Sequence, residues 1–431
     1  MVCAASREEK IKMDVDQFVQ PARQSRVLSY SEKNSRHWQR NLVVCVFGSF
    51  TTLVSMSMLL PFLPQYVQQL GVESSPAIIQ WSGVAFGATF LGTAITAPIW
   101  ARLADRYGRK PMLIRAAIGM AVVMSLIGVA HNVYELVALR LFAGLVGGYA
   151  SASTVLVGTQ APRERAGWAL GLLSTGALAG NLTGPLVGGF LPGWIGIRET
   201  FFAGGAMITS AALLTIFVVK EEFHPSEDAT IRGVGSNLPL VHRSNCFAIV
   251  ALLLTAMMVM LANMSIEPIL NIYVQTLGVM PANLARASGV VMACSAFGSM
   301  LTAARLGALA DRVGGWNVII GCLVLAALTI IPQAFIREWW QLAALRVLMG
   351  MAIAGLLPSI AKIARHSVED RKTGQMLGYV QSAQYSGQVF GPILGGQIGV
   401  SLGLHSVFFV TGSLLIGCAG LAHFARSLPR A

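Results

Sequence analysis

The chain has 431 residues, 55% of them hydrophobic and only 12% charged, with a mean hydropathy of +0.64 and a formal net charge of +12. A soluble interior cannot absorb that much apolar surface, so the composition excludes a water-soluble enzyme or nucleic-acid-binding domain and makes the bilayer the solvent. The basic excess then carries information about topology rather than about a nucleic-acid partner.

Residues 1–40 are polar and mixed in charge, without the apolar run of a signal peptide, and are expected to form a disordered cytoplasmic tail. Charge-poor stretches long enough to cross hydrocarbon follow. The expected spans are 42–69, 78–101, 112–130, 134–158, 166–191 and 199–219, then 244–276, 285–306, 315–335, 339–361, 374–398 and 403–425. The last two come from one run, Thr373–Ala425, that holds no Asp, Glu, Lys or Arg and divides near Gly399–His405. The expected domains are an N-terminal six-helix bundle (41–219), a cytoplasmic linker (220–243), a C-terminal six-helix bundle (244–425) and a short tail (426–431). With both termini inside, all but five of the 31 Lys and Arg lie in or beside cytoplasmic segments; the exceptions are Arg140, Arg198, Arg286, Arg337 and Arg346. The six cysteines are scattered without ligand spacing, and no metal or cofactor is expected.

The two halves repeat at an offset of 206 or 207 residues. Pro61 pairs with Pro268, Tyr66-Val67-Gln68 with Tyr273-Val274-Gln275, and Leu103-Ala104-Asp105-Arg106 with Leu309-Ala310-Asp311-Arg312. Ala138-Leu139-Arg140 pairs with Ala344-Leu345-Arg346, and Gly184-Pro185 with Gly391-Pro392. The reading is an all-α membrane protein of two pseudo-symmetric six-helix bundles, an arrangement that lets two similar bodies rock about a site near the bilayer midplane.

Four features carry chemistry. Between the second and third spans, Ala101-Arg102-Leu103-Ala104-Asp105-Arg106-Tyr107-Gly108-Arg109-Lys110-Pro111 reads as a short basic loop; Gly108 permits a tight turn, and Asp105 can pair with arginines or cap a helix. Its repeat copy retains Asp311 and Arg312. Arg140 sits inside the fourth span, where a buried guanidinium needs a partner, water or backbone acceptors. On the fifth span Gly176, Gly180, Gly184 and Gly188 recur every fourth residue, with Pro185 and Gly189 beside them, giving a bare face for close helix approach.

Glu267, just before Pro268 on the seventh span, is the one acid well inside a span; the proline is expected to break the backbone hydrogen-bond ladder and free carbonyls at depth. It reads as a proton site, or as a carboxylate neutralised by Arg140 or Lys362. Polar residues expected along a substrate cavity are Tyr66, Asn181, Asn263, Asn271, Tyr273, Gln381, Gln384, Tyr385 and Gln388, and the 18 methionines suit a deformable pocket. Without a G-x-x-x-x-G-K-[ST] sequence or a triad pattern, neither an ATP-driven pump nor an enzyme is expected.

These motifs resemble those of the major facilitator superfamily, and within it the twelve-span drug:proton antiporter family. The similarity is greatest to MdtG-type multidrug resistance transporters, through Trp38–Val44, Pro61–Val67, Gly167–Gly171 and Arg305–Gly307. The loop matches G-x-L-A-D-R-x-G-R-K except for Ala101, and helix five matches G-x-x-x-G-P-x-x-G-G, which in this superfamily marks antiporting exporters. The resemblance implies a gating role for Asp105, Arg106, Gly108, Arg109, Lys110, Asp311 and Arg312, and links Arg140 to proton handling. It also implies a monomer in the plasma membrane, the inner membrane of a Gram-negative cell, that exchanges small amphipathic substrates for protons. A single-metabolite exporter or an uptake symporter on the same fold remains the alternative, and a sensor or scaffold would need a larger cytoplasmic domain than the tail or the linker provides.

Overall fold

The computed structural model describes residues 37–162, 164–221, 243–368 and 373–427. The expected tail up to residue 36, linker residues 222–242 and residues 428–431 lie outside these. The N-terminal half contains α1 (Trp38–Gln69), α2 (Ser75–Tyr107), α3 (Arg109–Ile127), α4 (Val133–Gln160), α5 (Ala166–Ile195) and α6 (Ile197–Val218). The C-terminal half contains α7 (Arg243–Thr276), α8 (Pro281–Val313), α9 (Gly315–Ala334), α10 (Trp339–His366), α11 (Thr373–Ser401) and α12 (Leu404–Ser427). All but α11 are long and apolar enough to cross a membrane. With 29 residues α11 has the length, but Gln375, Gln381, Gln384, Gln388 and Gln397 dilute its hydropathy.

Local chemistry fixes the ends. Ser74 caps α2 by accepting from the Ala77 amide, Asn132 caps α4 by accepting from that of Glu135, and Glu338 and Gln341 form a reciprocal capping box on α10. One expectation is corrected here. The basic motif after the second span is mostly helix: α2 continues through Asp105 and Arg106 to Tyr107, and the turn is confined to Gly108 (φ +95°). Gly314 (φ +91°) does the same after α8. Pro268 lies within α7, which runs continuously past it, whereas its counterpart Pro61 lies in a 3-10 turn, Leu60–Phe62, that interrupts α1. Proline still lacks an N–H, so a carbonyl one turn back in α7 loses its helical donor.

Each half has its own apolar core, the first built from residues between Trp38 and Val219, the second from Ala251 to Ala425 with Ile79 added from the first half. Within the halves α1 packs on α5, α2 on α4 and α3 on α6; α7 on α11, α8 on α10 and α9 on α12 repeat these pairings. The repeat holds at the level of single contacts. A Cβ at Gly144 would strike the Thr89 carbonyl, and one at Gly350 the Ser295 carbonyl, so α2–α4 and α8–α10 approach backbone to backbone. The Tyr66 hydroxyl donates to the Ile127 carbonyl (2.5 Å) and that of Tyr273 to the Gln333 carbonyl (2.6 Å).

Candidate functional site

The two bundles meet through α2 against α11 and α5 against α8. These seams lie in the half of the molecule remote from the linker. A Cβ at Gly83 would come 2.5 Å from the Pro392 carbonyl oxygen, and one at Gly87 3.0 Å from that of Val389. The mirror seam has Gly289 against the Pro185 carbonyl and Gly189 against Ala285 and Arg286. Gln80 and Gln397 add a side-chain hydrogen bond of 3.3 Å. Backbone touching backbone at four glycines closes the far side.

The helix-five motif therefore serves two neighbours. Gly176, Gly180, Gly184 and Gly188 face α1, where added Cβ atoms would meet Val46, Phe50, Ser57 and the Met58 carbonyl; Pro185 and Gly189 face α8 across the seam. Gly387, Gly391 and Gly395 pack on α7 in the same way.

On the linker side Asp105, 59% exposed, pairs with Arg109 one turn on (2.8 Å), and Arg109 also donates to the Ala104 carbonyl (2.6 Å). Glu221, from the start of the linker, accepts from the backbone amides of Arg109 (2.9 Å) and Lys110 (2.6 Å) and so caps α3. Arg106 is exposed beside Tyr107. In the second half Asp311 pairs with Lys362 of α10 (2.5 Å) and Arg312 is exposed. The two copies are thus bonded differently, because the position matching Lys362 in the first half is Leu156.

A cavity of about 180 Å³ lies between α2, α3 and α4 toward the linker side, lined by Thr93, Thr96, Trp100, Arg115 and Gly148, with Tyr385 of α11 reaching it from the other bundle. Sequence reasoning missed Trp100 and Arg115. Gly147-Gly148 break α4, with Gly148 at φ +110°, and the freed carbonyls of Leu145 and Gly147 accept from Trp100 Nε1 (2.7 Å) and Arg115 Nη2 (2.9 Å). The Arg115 guanidinium lies 3.5 Å over the Trp100 ring centroid. Arg115 follows Arg109 and Lys110 so closely that it reads as part of their basic cluster, which hid its place inside the bundle.

Of the expected cavity residues, Tyr66 and Tyr273 are removed from any cavity: both are fully buried, with hydroxyls committed to carbonyls of their own bundles. Asn271 is also buried, donating to the Pro61 carbonyl (2.5 Å) and Ser288 Oγ (3.2 Å), and so ties α7 to α1. Asn181 and Gln381 are exposed, while Asn263, Gln384 and Tyr385 are half-buried. Asn181 stands one turn before Pro185 on the stripe of α5 that faces α8, and Gln381 one turn before Tyr385 on α11, so both extend the seam residues toward the linker side. Gln388 approaches Met260 Sδ at 3.4 Å.

Glu267 is paired with neither Arg140 nor Lys362. Its partner is Arg346 of α10, with Nη1 3.6 Å from Oε1; the arginine side chain is 0% exposed and the glutamate 12%. Arg140 instead donates from Nε to the Ala85 carbonyl (3.4 Å) and lies 5.8 Å from the Phe86 ring centroid. No carboxylate among the described residues lies within ion-pair distance of it.

The sequence pattern of the Major Facilitator Superfamily matches residues 45–336 and 252–431. The multidrug resistance protein MdtG of Dickeya zeae is 39% identical over 379 residues, 88% of this chain and 92% of that protein. MdtG of Salmonella paratyphi C is 40% identical over 383 residues, covering 88% and 94%. Among solved structures, an inward-facing, occupied bacterial homologue of the human lysosomal transporter Spinster superposes with a TM-score of 0.74 at 15% identity, covering 90% of this chain and 96% of that one. The nucleoside transporter NupG gives 0.70 at 12% identity, covering 90% and 100%. The bundle pairing, the mirrored seams and these matches together establish that the chain belongs to the Major Facilitator Superfamily.

Proposed function

We propose that this protein is a proton-coupled secondary transporter that exports structurally varied, small amphipathic molecules by alternating access. It works as a monomer in the plasma membrane, a bacterial inner membrane where there are two, with both termini and the linker cytoplasmic. It moves its substrates without covalent chemistry. Relatives named multidrug resistance proteins support the export direction and the breadth of substrate. The observation that carries the reading is Glu267, an acid deep in α7 that faces a buried cation while its Oε2 is free of any hydrogen bond among the described residues. Elsewhere in the described helices the acids sit at the ends, as Glu135, Glu199, Asp105 and Asp311 do.

In this reading the far-side seams are shut and the bundles part toward the cytoplasm, where Asn181, Gln381, Gln384 and Tyr385 meet substrate. Proton loss from Glu267 alternates with substrate binding, and the Asp105 and Asp311 elements hold the cytoplasmic gate when it closes. Arg140 braces α4 on α2 beside the proton path. Purified protein in proteoliposomes provides the test. Glu267→Gln, which fixes the neutral form, is expected to exchange substrate down its own gradient but to lose accumulation driven by a pH gradient, with Glu267→Asp retaining part of it. Parent-like gradient-driven transport by Glu267→Gln refutes the assignment.

A further inference from the structure

The repeat brings Arg346 and Arg140 to equivalent places, yet their surroundings differ. Arg140 has a carbonyl and the Phe86 ring; the counterparts of Ala85 and Phe86 are Val291 and Met292, and Arg346 has no aromatic face among the described residues. The counterpart of Glu267 is Leu60. The first half therefore satisfies its buried arginine with backbone and ring, and the second half does so with a carboxylate. Arg346 is fully buried, and none of Nε, Nη1 and Nη2 has a hydrogen-bond partner among the described residues. Of the titratable side chains on other helices, half-buried Cys294 of α8 lies near Arg346; Tyr379 and Tyr385 of α11, His405 and His423 of α12 and Tyr66 of α1 have no recorded contact with the pair. None of these hydrogen-bonds either member.

Among the described residues Glu267 is thus the one compensating charge for a guanidinium held wholly out of water. Removing one partner of a buried ion pair is far costlier than removing both, because the survivor remains uncompensated. Neutralising Glu267 in the arrangement seen here strands Arg346, so protonation and this arrangement oppose one another, and relief requires the helices to move until Arg346 meets water or another acceptor. A local proton event is thereby tied to a global rearrangement of α7 against α10.

We infer that Arg346 is the positioning residue of the proton site, and that the Glu267–Arg346 pair in the C-terminal bundle is the coupling unit. The inference rests on the proton-carrying role proposed for Glu267. Its test combines a stability cycle with transport, using the full-length protein and the variants E267Q, R346Q, R346K and E267Q/R346Q. Each neutral single variant is expected to melt about 5 °C or more below the parent in detergent, and the double variant to recover most of that loss, because no charge is stranded in it. In proteoliposomes R346Q is expected to lose at least about tenfold of its pH-gradient-driven transport while retaining substrate exchange, and R346K to regain part of the loss. Where R346Q does not accumulate in the membrane, recovery in the double variant carries the same information. Additive melting losses, or parent-level gradient-driven transport by R346Q, overturn the inference and leave Glu267 as the proton carrier. Parent-level gradient-driven transport by E267Q overturns the proton-carrying role itself, and this inference with it.

Discussion

Placing a single methyl group in the α5–α8 seam should shift the carrier toward its far-side-open state. At Gly289 an alanine Cβ would collide with the Pro185 carbonyl oxygen and stand 3.0 Å from the Gly189 Cα, both backbone atoms that cannot rotate away. Overpacking of this kind costs about 1–3 kcal/mol. The gain in helix propensity from glycine to alanine is present in both states and cancels. The clash exists only while the seam is closed, so the ratio of open to closed far side should rise about 5- to 150-fold. Spin labels at Trp194 and Met280, both exposed at the far ends of the two segments, report the seam distance in a cysteine-depleted background. The Gly289→Ala protein should show a longer-distance population at the expense of the shorter one. Gly83→Ala, whose Cβ would lie 2.5 Å from the Pro392 oxygen in the mirror seam, should add its effect, since the two contacts share no residues. A distance distribution unchanged from the parent in a folded Gly289→Ala protein would refute the view that backbone contact holds the far side shut.

Other outcomes follow from the same geometry. Asp105→Asn should leave expression and Tm near the parent, because an exposed i,i+4 pair contributes only about 1 kcal/mol or less, while efflux falls several-fold; normal efflux would reduce the motif to a topology anchor. Tyr66→Phe and Tyr273→Phe should each cost about 0.5–1.5 kcal/mol by removing a buried hydrogen bond, read as a lower Tm, with substrate range unchanged; an altered range would restore them to the cavity. Cysteines placed in 222–242 should be labelled only after permeabilisation of intact cells, and external labelling would contradict the cytoplasmic linker.

Hydropathy and the repeat made the helices legible, and with them the pairing of like elements in each half. The charge-free run at Thr373–Ala425 could be divided because it is too long for one span and breaks near Gly399–His405, where Gly403 (φ +90°) makes the turn. The site was less legible, for identifiable reasons. A tyrosine inside a span has the same sequence signature whether it lines a cavity or clamps a carbonyl, and only the approach of Ile127 and Gln333 separates the two. Asp105 and Arg106 look like loop residues because charge density resembles a loop, although the helix continues until glycine permits the turn. Arg346 was visible as an isolated charge, but its pairing with Glu267 depends on how α7, α8 and α10 converge, which no local pattern encodes. Arg115 was masked by its basic neighbours.

The glutamines of α11 have a consequence for biogenesis. A segment enters the bilayer from the insertion machinery according to its own partition free energy, and Thr373–Ser401 is too polar to be favoured alone. In the finished protein it lies against α7 on one side and α2 on the other, with α12 following after Leu402 and Gly403. Its entry therefore depends on companions: α12 emerging behind it as the apolar arm of a hairpin, and the earlier helices already waiting in the membrane. The polarity of α11 thus makes the C-terminal bundle a late, cooperative insertion event, one that a chain ending before Leu404 is expected not to complete.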